Sequence, residues 1–79
     1  MRATVAVRPK PGILDPQGEA VETSLRQLGF AVETARVGRL VELEVEGDDP
    51  ERARDELERM CQQLLANPLI ESYEITVAS

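Results

Sequence analysis

Val41-Glu42-Leu43-Glu44-Val45-Glu46-Gly47-Asp48-Asp49-Pro50 is the stretch on which the fold turns. Val41, Leu43 and Val45 alternate with Glu42, Glu44 and Glu46, the period of a strand with one buried and one wet face. Gly47-Asp48 ends that strand, and Asp49-Pro50 opens a helix. Asp49 stands at the cap, where a carboxylate accepts from the free N–H groups of the first turn. Pro50 occupies the first helical position, where no N–H is needed. Ala53, Leu57, Met60, Cys61 and Leu64 then form an apolar stripe at helical spacing, with Glu51, Arg52, Arg54, Asp55, Glu58 and Arg59 outside it. Asn67-Pro68 terminates the helix, because the residue before a proline avoids the α region.

The same grammar holds on either side. Residues 4–8, Thr-Val-Ala-Val-Arg, form a short β-branched run closed by Pro9 and Pro11, which cannot donate to a sheet ladder. Asp15-Pro16 repeats the cap-and-proline signal, and Val21, Ser24, Leu25 and Leu28 predict one buried helical stripe. Gly29 fits the left-handed stop, with Phe30 placed to touch Leu25 in a Schellman motif. Residues 31–46 read as extended chain broken at Val37-Gly38-Arg39. The part before Gly38 is either a separate strand or the first part of one long bent strand. Residues 70–77 form the last strand, with Tyr73, Ile75 and Val77 on one face. The predicted order is β-α-β-β-α-β in a single domain over residues 1–79. This is an α+β, ferredoxin-like sandwich with two helices on one face of an antiparallel sheet.

Composition narrows what such a domain does. A chain of 79 residues buries only about 60–65% of its unfolded surface, so a core this small gains from association. Cys61 is the sole cysteine and there is no histidine, so neither an internal disulfide nor a zinc cage adds to it. A dimer is therefore expected. The net charge of −6 and the two aromatic residues, Phe30 and Tyr73, argue against nucleic acid or an anionic membrane as partner. No stretch approaches the ~20 apolar residues of a spanning helix, and an unpaired cysteine suits a reducing compartment. A soluble, cytoplasmic protein is the expectation.

Catalytic readings find little support. Cys61 has no histidine to activate it and lies on the apolar stripe. The acids alternate on a wet strand face or interleave with arginines on a helix. Lys10-Pro11-Gly12 before a helix lacks the glycine spacing of a phosphate loop, and the Asp15 carboxylate already occupies part of the helix N-terminus. Arg36 and Arg39 flank the Gly38 break. As arginines they are either solvated charges or interface contacts. Gly18 and Gly38 both permit close approach of another backbone. Lys10, Asp15, Gly18, Arg36, Gly38 and Arg39 are thus the candidate contact residues, with no catalytic, cofactor or metal position among them.

Four strings carry a resemblance: Val7-Arg8-Pro9-Lys10-Pro11-Gly12-Ile13-Leu14-Asp15-Pro16-Gln17-Gly18, its continuation from Ala20-Val21 to Leu28-Gly29-Phe30, Arg36-Val37-Gly38-Arg39, and the run from Met60-Cys61-Gln62-Gln63-Leu64-Leu65-Ala66-Asn67-Pro68 to Tyr73-Glu74-Ile75. Over almost its full length the chain resembles the PurS family, small subunits of bacterial phosphoribosylformylglycinamidine (FGAM) synthase. The resemblance implies a non-catalytic assembly subunit for the conversion of formylglycinamide ribonucleotide, glutamine and ATP to FGAM. It implies a homodimer or dimer of dimers bridging a glutaminase subunit, PurQ, and a synthetase subunit, PurL, and supporting ammonia transfer between them. The complex uses ATP, Mg²⁺ and glutamine, while this chain binds no cofactor. The alternative, from the residues alone, is a small ligand-sensing regulatory module of βαββαβ type.

Overall fold

The computed structural model describes residues 1–78. Along the chain run β1 (Arg2–Pro9), α1 (Pro16–Gln27), β2 (Arg39–Glu44), α2 (Pro50–Met60) and β3 (Glu71–Ala78). One wide π turn, Cys61–Leu65, extends α2. The sheet has the order β2-β1-β3, and both pairings are antiparallel.

The register explains which residues are inside. Val5 lies opposite Val41 on one side and Ile75 on the other, and Ala3 lies opposite Leu43 and Val77. Directly paired residues share a face, so this face is apolar. α2 lays Ala53, Leu57 and Cys61 against it, and the packed core is Ala3, Val5, Val7, Leu57, Cys61, Ala66 and Ile75. The reverse face carries Thr4, Glu42, Glu74 and Thr76, with Arg8 and Glu74 3.7 Å apart. That face is wet.

Both helix starts follow the sequence. The Asp15 Oδ1 accepts from Gly18 N–H at 3.0 Å and Asp49 Oδ1 from Glu51 N–H at 3.1 Å. At the end of α1, Phe30 N–H donates to the Leu25 carbonyl and Gly29 N–H to that of Arg26, each at 3.0 Å. Those two bonds define the Schellman stop.

Three particulars differ from the sequence reading. Residues 31–38 form no strand, so the sheet has three strands rather than the four of a β-α-β-β-α-β order. Three of their backbone groups are bound by Asp15 and Arg26, at the cap and on the last turn of α1, instead of by a ladder. Arg26 Nε donates to the Val32 carbonyl at 2.9 Å and its Nη2 to that of Glu33 at 2.6 Å. Val37 N–H donates to Asp15 Oδ2 at 2.9 Å. For the same reason α1 does not join α2 on the sheet. It is bound along its own return segment, and the stripe predicted to be buried is open, with Val21 42% and Leu28 73% exposed.

The molecule is correspondingly long, 48 × 25 × 14 Å. Its radius of gyration is 15.7 Å, against about 12 Å for a compact chain of this length. The third difference is Leu64, which is 83% exposed. Ala66 N–H reaches back five residues to the Cys61 carbonyl at 3.1 Å, and this wider turn brings Leu65 to the core in place of Leu64.

Leu57 is wholly buried at the centre of the helix–sheet contact. Leu57→Ala is expected to lower stability by about 2–5 kcal/mol, read from urea unfolding followed by circular dichroism. Burial, and secondarily the Glu58 charge, pushes the Cys61 thiol above its ordinary range. Native protein should therefore alkylate far more slowly than unfolded protein, measured by mass spectrometry after iodoacetamide.

Candidate functional site: a clamped junction at one end of the sheet

The site is built from the cap of α1. Asp15 uses one carboxylate oxygen on Gly18 N–H and the other on Val37 N–H, so one side chain fixes both the helix start and the chain returning to the sheet. These two N–H bonds, Val37 first, hold its carboxyl below the usual range, with a smaller contribution from the Arg36 charge. Two glycines let the strands of this junction close. A Cβ on Gly18 would lie 2.4 Å from Asp15 Oδ2 and 2.6 Å from the Ala35 carbonyl oxygen. A Cβ on Gly38 would lie 2.1 Å from the Val7 carbonyl oxygen, a backbone atom that cannot step aside.

A second set of contacts ties in the segment after α2. Arg39 donates to both carboxylate oxygens of Glu71, at 2.7 and 3.1 Å, and to the Leu65 carbonyl at 2.5 Å. Glu71 also accepts from Asn67 N–H at 2.7 Å. The paired arginine, then that N–H, keeps the Glu71 carboxyl below its ordinary range, and Glu71 in turn raises Arg39. Lys10 Nζ donates to the Pro68 carbonyl at 2.7 Å, and its backbone N–H to that of Ile70 at 2.9 Å.

The structure thus brings Lys10, Asp15, Gly18, Gly38 and Arg39 into one junction, with Arg36 exposed at its rim and making no hydrogen bond or ion pair to the described residues. Lys10 and Arg39 are not free surface charges. Both hold the 65–71 loop. Glu71 and Asn67, equally part of the clamp, carry no sequence signal of it, because only the β1 pairings bring the starts of β2 and β3 alongside each other.

What this junction presents is apolar surface on a fixed backbone. A shallow cleft of about 270 Å³ is lined by Ile13, Leu14, Gln17, Arg39 and Ile70, among others. Leu14 is 73% and Leu69 84% exposed beside it. The N–H groups that would hold an anion at the start of α1 are partly engaged by Asp15 itself. The neighbouring depression, about 300 Å³, carries both signs of charge on its wall, Glu19 and Glu22 with Lys10 and Arg36. The surface suits contact with protein.

A family model described as "PurS: Phosphoribosylformylglycinamidine (FGAM) synthase" matches residues 2–79. The chain belongs to the PurS family. The PurS subunit of Methanocaldococcus jannaschii is 39% identical over 77 residues, 96% of this chain and 93% of that protein. The Bacillus subtilis PurS subunit is 40% identical over 78 residues, 96% of this chain and 90% of its own length. A chain of the solved PurLQS structure from Thermotoga maritima superposes with a TM-score of 0.87 at 34% identity, over 95% of this chain and 93% of that one. Parts of three strings that carry the PurS resemblance in the sequence meet in this junction, at residues 10–18, 36–39 and 65–71.

Gly38→Ala is expected to lower the melting temperature and weaken the β1–β2 pairing next to Val7, read by thermal unfolding and amide exchange at Val7 and Arg39. Asp15 and Glu71 are both lowered from ordinary values of 3.8 and 4.5. Their contribution to stability is fully present above those values and is lost as pH falls through the lower, folded ones. Melting temperature should therefore fall as pH drops below the ordinary carboxylate range, and Glu71→Gln should make that fall shallower.

Proposed function

We propose that this chain is the assembly subunit of an FGAM synthase. In this reading it joins a glutaminase subunit, PurQ, to a synthetase subunit, PurL, and supports the passage of ammonia from one to the other. The observation that carries it is the full-length correspondence with a chain of the solved PurLQS assembly. ATP, Mg²⁺ and glutamine belong to the partner subunits, and this chain works in the cytoplasm as a homodimer or dimer of dimers.

The chemistry is consistent with that division. Release of ammonia from glutamine needs an activated nucleophile. This sequence has no histidine, and its one thiol is buried and raised. A scaffold needs a rigid surface, and the junction provides one by fixing three segments with charged hydrogen bonds. In the ligand-sensing alternative the isolated chain would bind a small anion at the start of α1, where Asp15 already stands.

Reconstitution tests the proposal. Cognate glutaminase and synthetase mixed with this chain should form a complex and turn over formylglycinamide ribonucleotide with glutamine, falling to background when the chain is omitted. Full glutamine-dependent turnover without it would overturn the reading. Calorimetry with glutamine, ADP and the nucleotide substrate should show no heat with the isolated chain, and binding there would favour the sensing module.

Within the complex, Arg36→Glu should weaken assembly by roughly five- to thirtyfold, the range of an interface arginine, with no change in melting temperature. Arg39→Glu serves as the contrast: it places a second carboxylate against Glu71 and should lower the melting temperature of the isolated chain.

A further inference from the structure

β3 is an outer strand of the sheet, and it turns one row of backbone groups away from β1. The register says which residues form that row. In an antiparallel pair, residues that exchange backbone hydrogen bonds alternate with residues that do not. Lys10 N–H donates to the Ile70 carbonyl at 2.9 Å, and Val45 N–H to that of Met1 at 2.8 Å. Those two bonds set the parity: even residues of β1 bond β3, and odd residues bond β2. On β3 the outward row is therefore Glu71, Tyr73, Ile75 and Val77.

That row is not left bare. Arg54 stands on α2, the helix packed against β3, and its Nη1 donates to the Ile75 carbonyl at 3.2 Å. This acceptor lies in the middle of the outward row. At the start of the row, Glu71 N–H donates to the Asn67 carbonyl at 2.7 Å. Among the described residues Arg54 is the one side chain that bonds the backbone of a strand. The other bonds between side chain and backbone fall on loops and helix ends. Arg54 is exposed and forms no salt bridge among the described residues, so no charge partner accounts for where its guanidinium lies.

An unpaired strand edge is a template for another strand. A strand adding to β3 would need the Ile75 carbonyl for one of its own N–H groups. It would have to displace a charged donor, whose hydrogen bonds are the stronger kind, or bury the guanidinium beneath the new pairing. Either step costs more than the single ladder bond returns.

We infer that Arg54 closes the β3 edge: its guanidinium on the Ile75 carbonyl keeps a further strand, from another copy or another protein, from adding to that side of the sheet. Contacts with other proteins are thereby confined to side-chain surfaces and to the rest of the molecule. The inference is independent of the function proposed above.

The test is Arg54→Met, which keeps an aliphatic stem and removes the donors. By sedimentation velocity its mass should rise with concentration to at least about twofold that of the unaltered chain at the same concentration, because an open edge pairs with its like. In the same samples the outward amides of Tyr73 and Val77 should gain protection from exchange, whereas in the unaltered chain they exchange freely. A second change separates edge pairing from loosening of the fold. Val77 N–H faces outward, so proline at that position removes an edge donor and no bond to β1. Arg54→Met/Val77→Pro should return to the mass of the unaltered chain. An Arg54→Met protein of unchanged mass overturns the inference, as does protection of the Tyr73 and Val77 amides in the unaltered chain. A raised mass that proline does not reverse also overturns it. So does loss of the core methyl shifts of Val5 and Leu57 in Arg54→Met, since the inference gives Arg54 no part in holding the core.

Discussion

Asp15 has two carboxylate oxygens and places each on a different part of the chain. One caps α1 through Gly18 N–H, and the other takes Val37 N–H from the segment that returns to the sheet. Helix caps usually act within a single turn; this one also determines where β2 begins. Because Val37 is satisfied by a carboxylate, residues 31–38 need no strand partner, and the sheet stops at three strands. Because the return segment is bound to α1, the helix stands apart from the sheet rather than covering it. The fold's length, its open stripe and its junction all descend from that shared carboxylate.

The consequence is a chain whose internal core is small. Seven residues form it, and two of them are alanines. The apolar residues that a single compact domain would draw inward are instead left on α1 and along β2. That leaves apolar area on the outside of the chain, available for contact with another protein. The rigid end and the open arm divide the labour: ionic hydrogen bonds fix the first, and apolar surface is available on the second.

Arg39 illustrates why charge in a sequence is hard to assign. Flanking a glycine break, it has the character of an interface arginine, yet its guanidinium is engaged with Glu71 and the Leu65 carbonyl. Lys10 is engaged likewise with Pro68. Both act on the outer surface by positioning the loop that presents Leu69. Arg36, three residues earlier, keeps its exposed charge. Nothing in the local sequence separates these arginines, because the distinction depends on which segment lies across from each in space.

Local rules determined a great deal about this protein. Asp-Pro caps, the Gly29 stop and the alternation of Val41, Leu43 and Val45 each act within a few residues, so both helices, the three strands and the apolar face were legible in the chain. The small lone-cysteine core and the absence of histidine were equally legible, as were the strings that tie it to the PurS family. Tertiary structure alone decided whether residues 31–38 pair as a strand, whether α1 covers its own sheet, and whether Leu64 or Leu65 turns inward. Each of those is a competition between partners distant in sequence: Asp15 for Val37, Arg26 for the Val32 carbonyl, and a five-residue turn at Cys61 for the phase of a helix end. Periodicity cannot rank such competitors, since it records which residues are apolar and not which polar group reaches a carbonyl first.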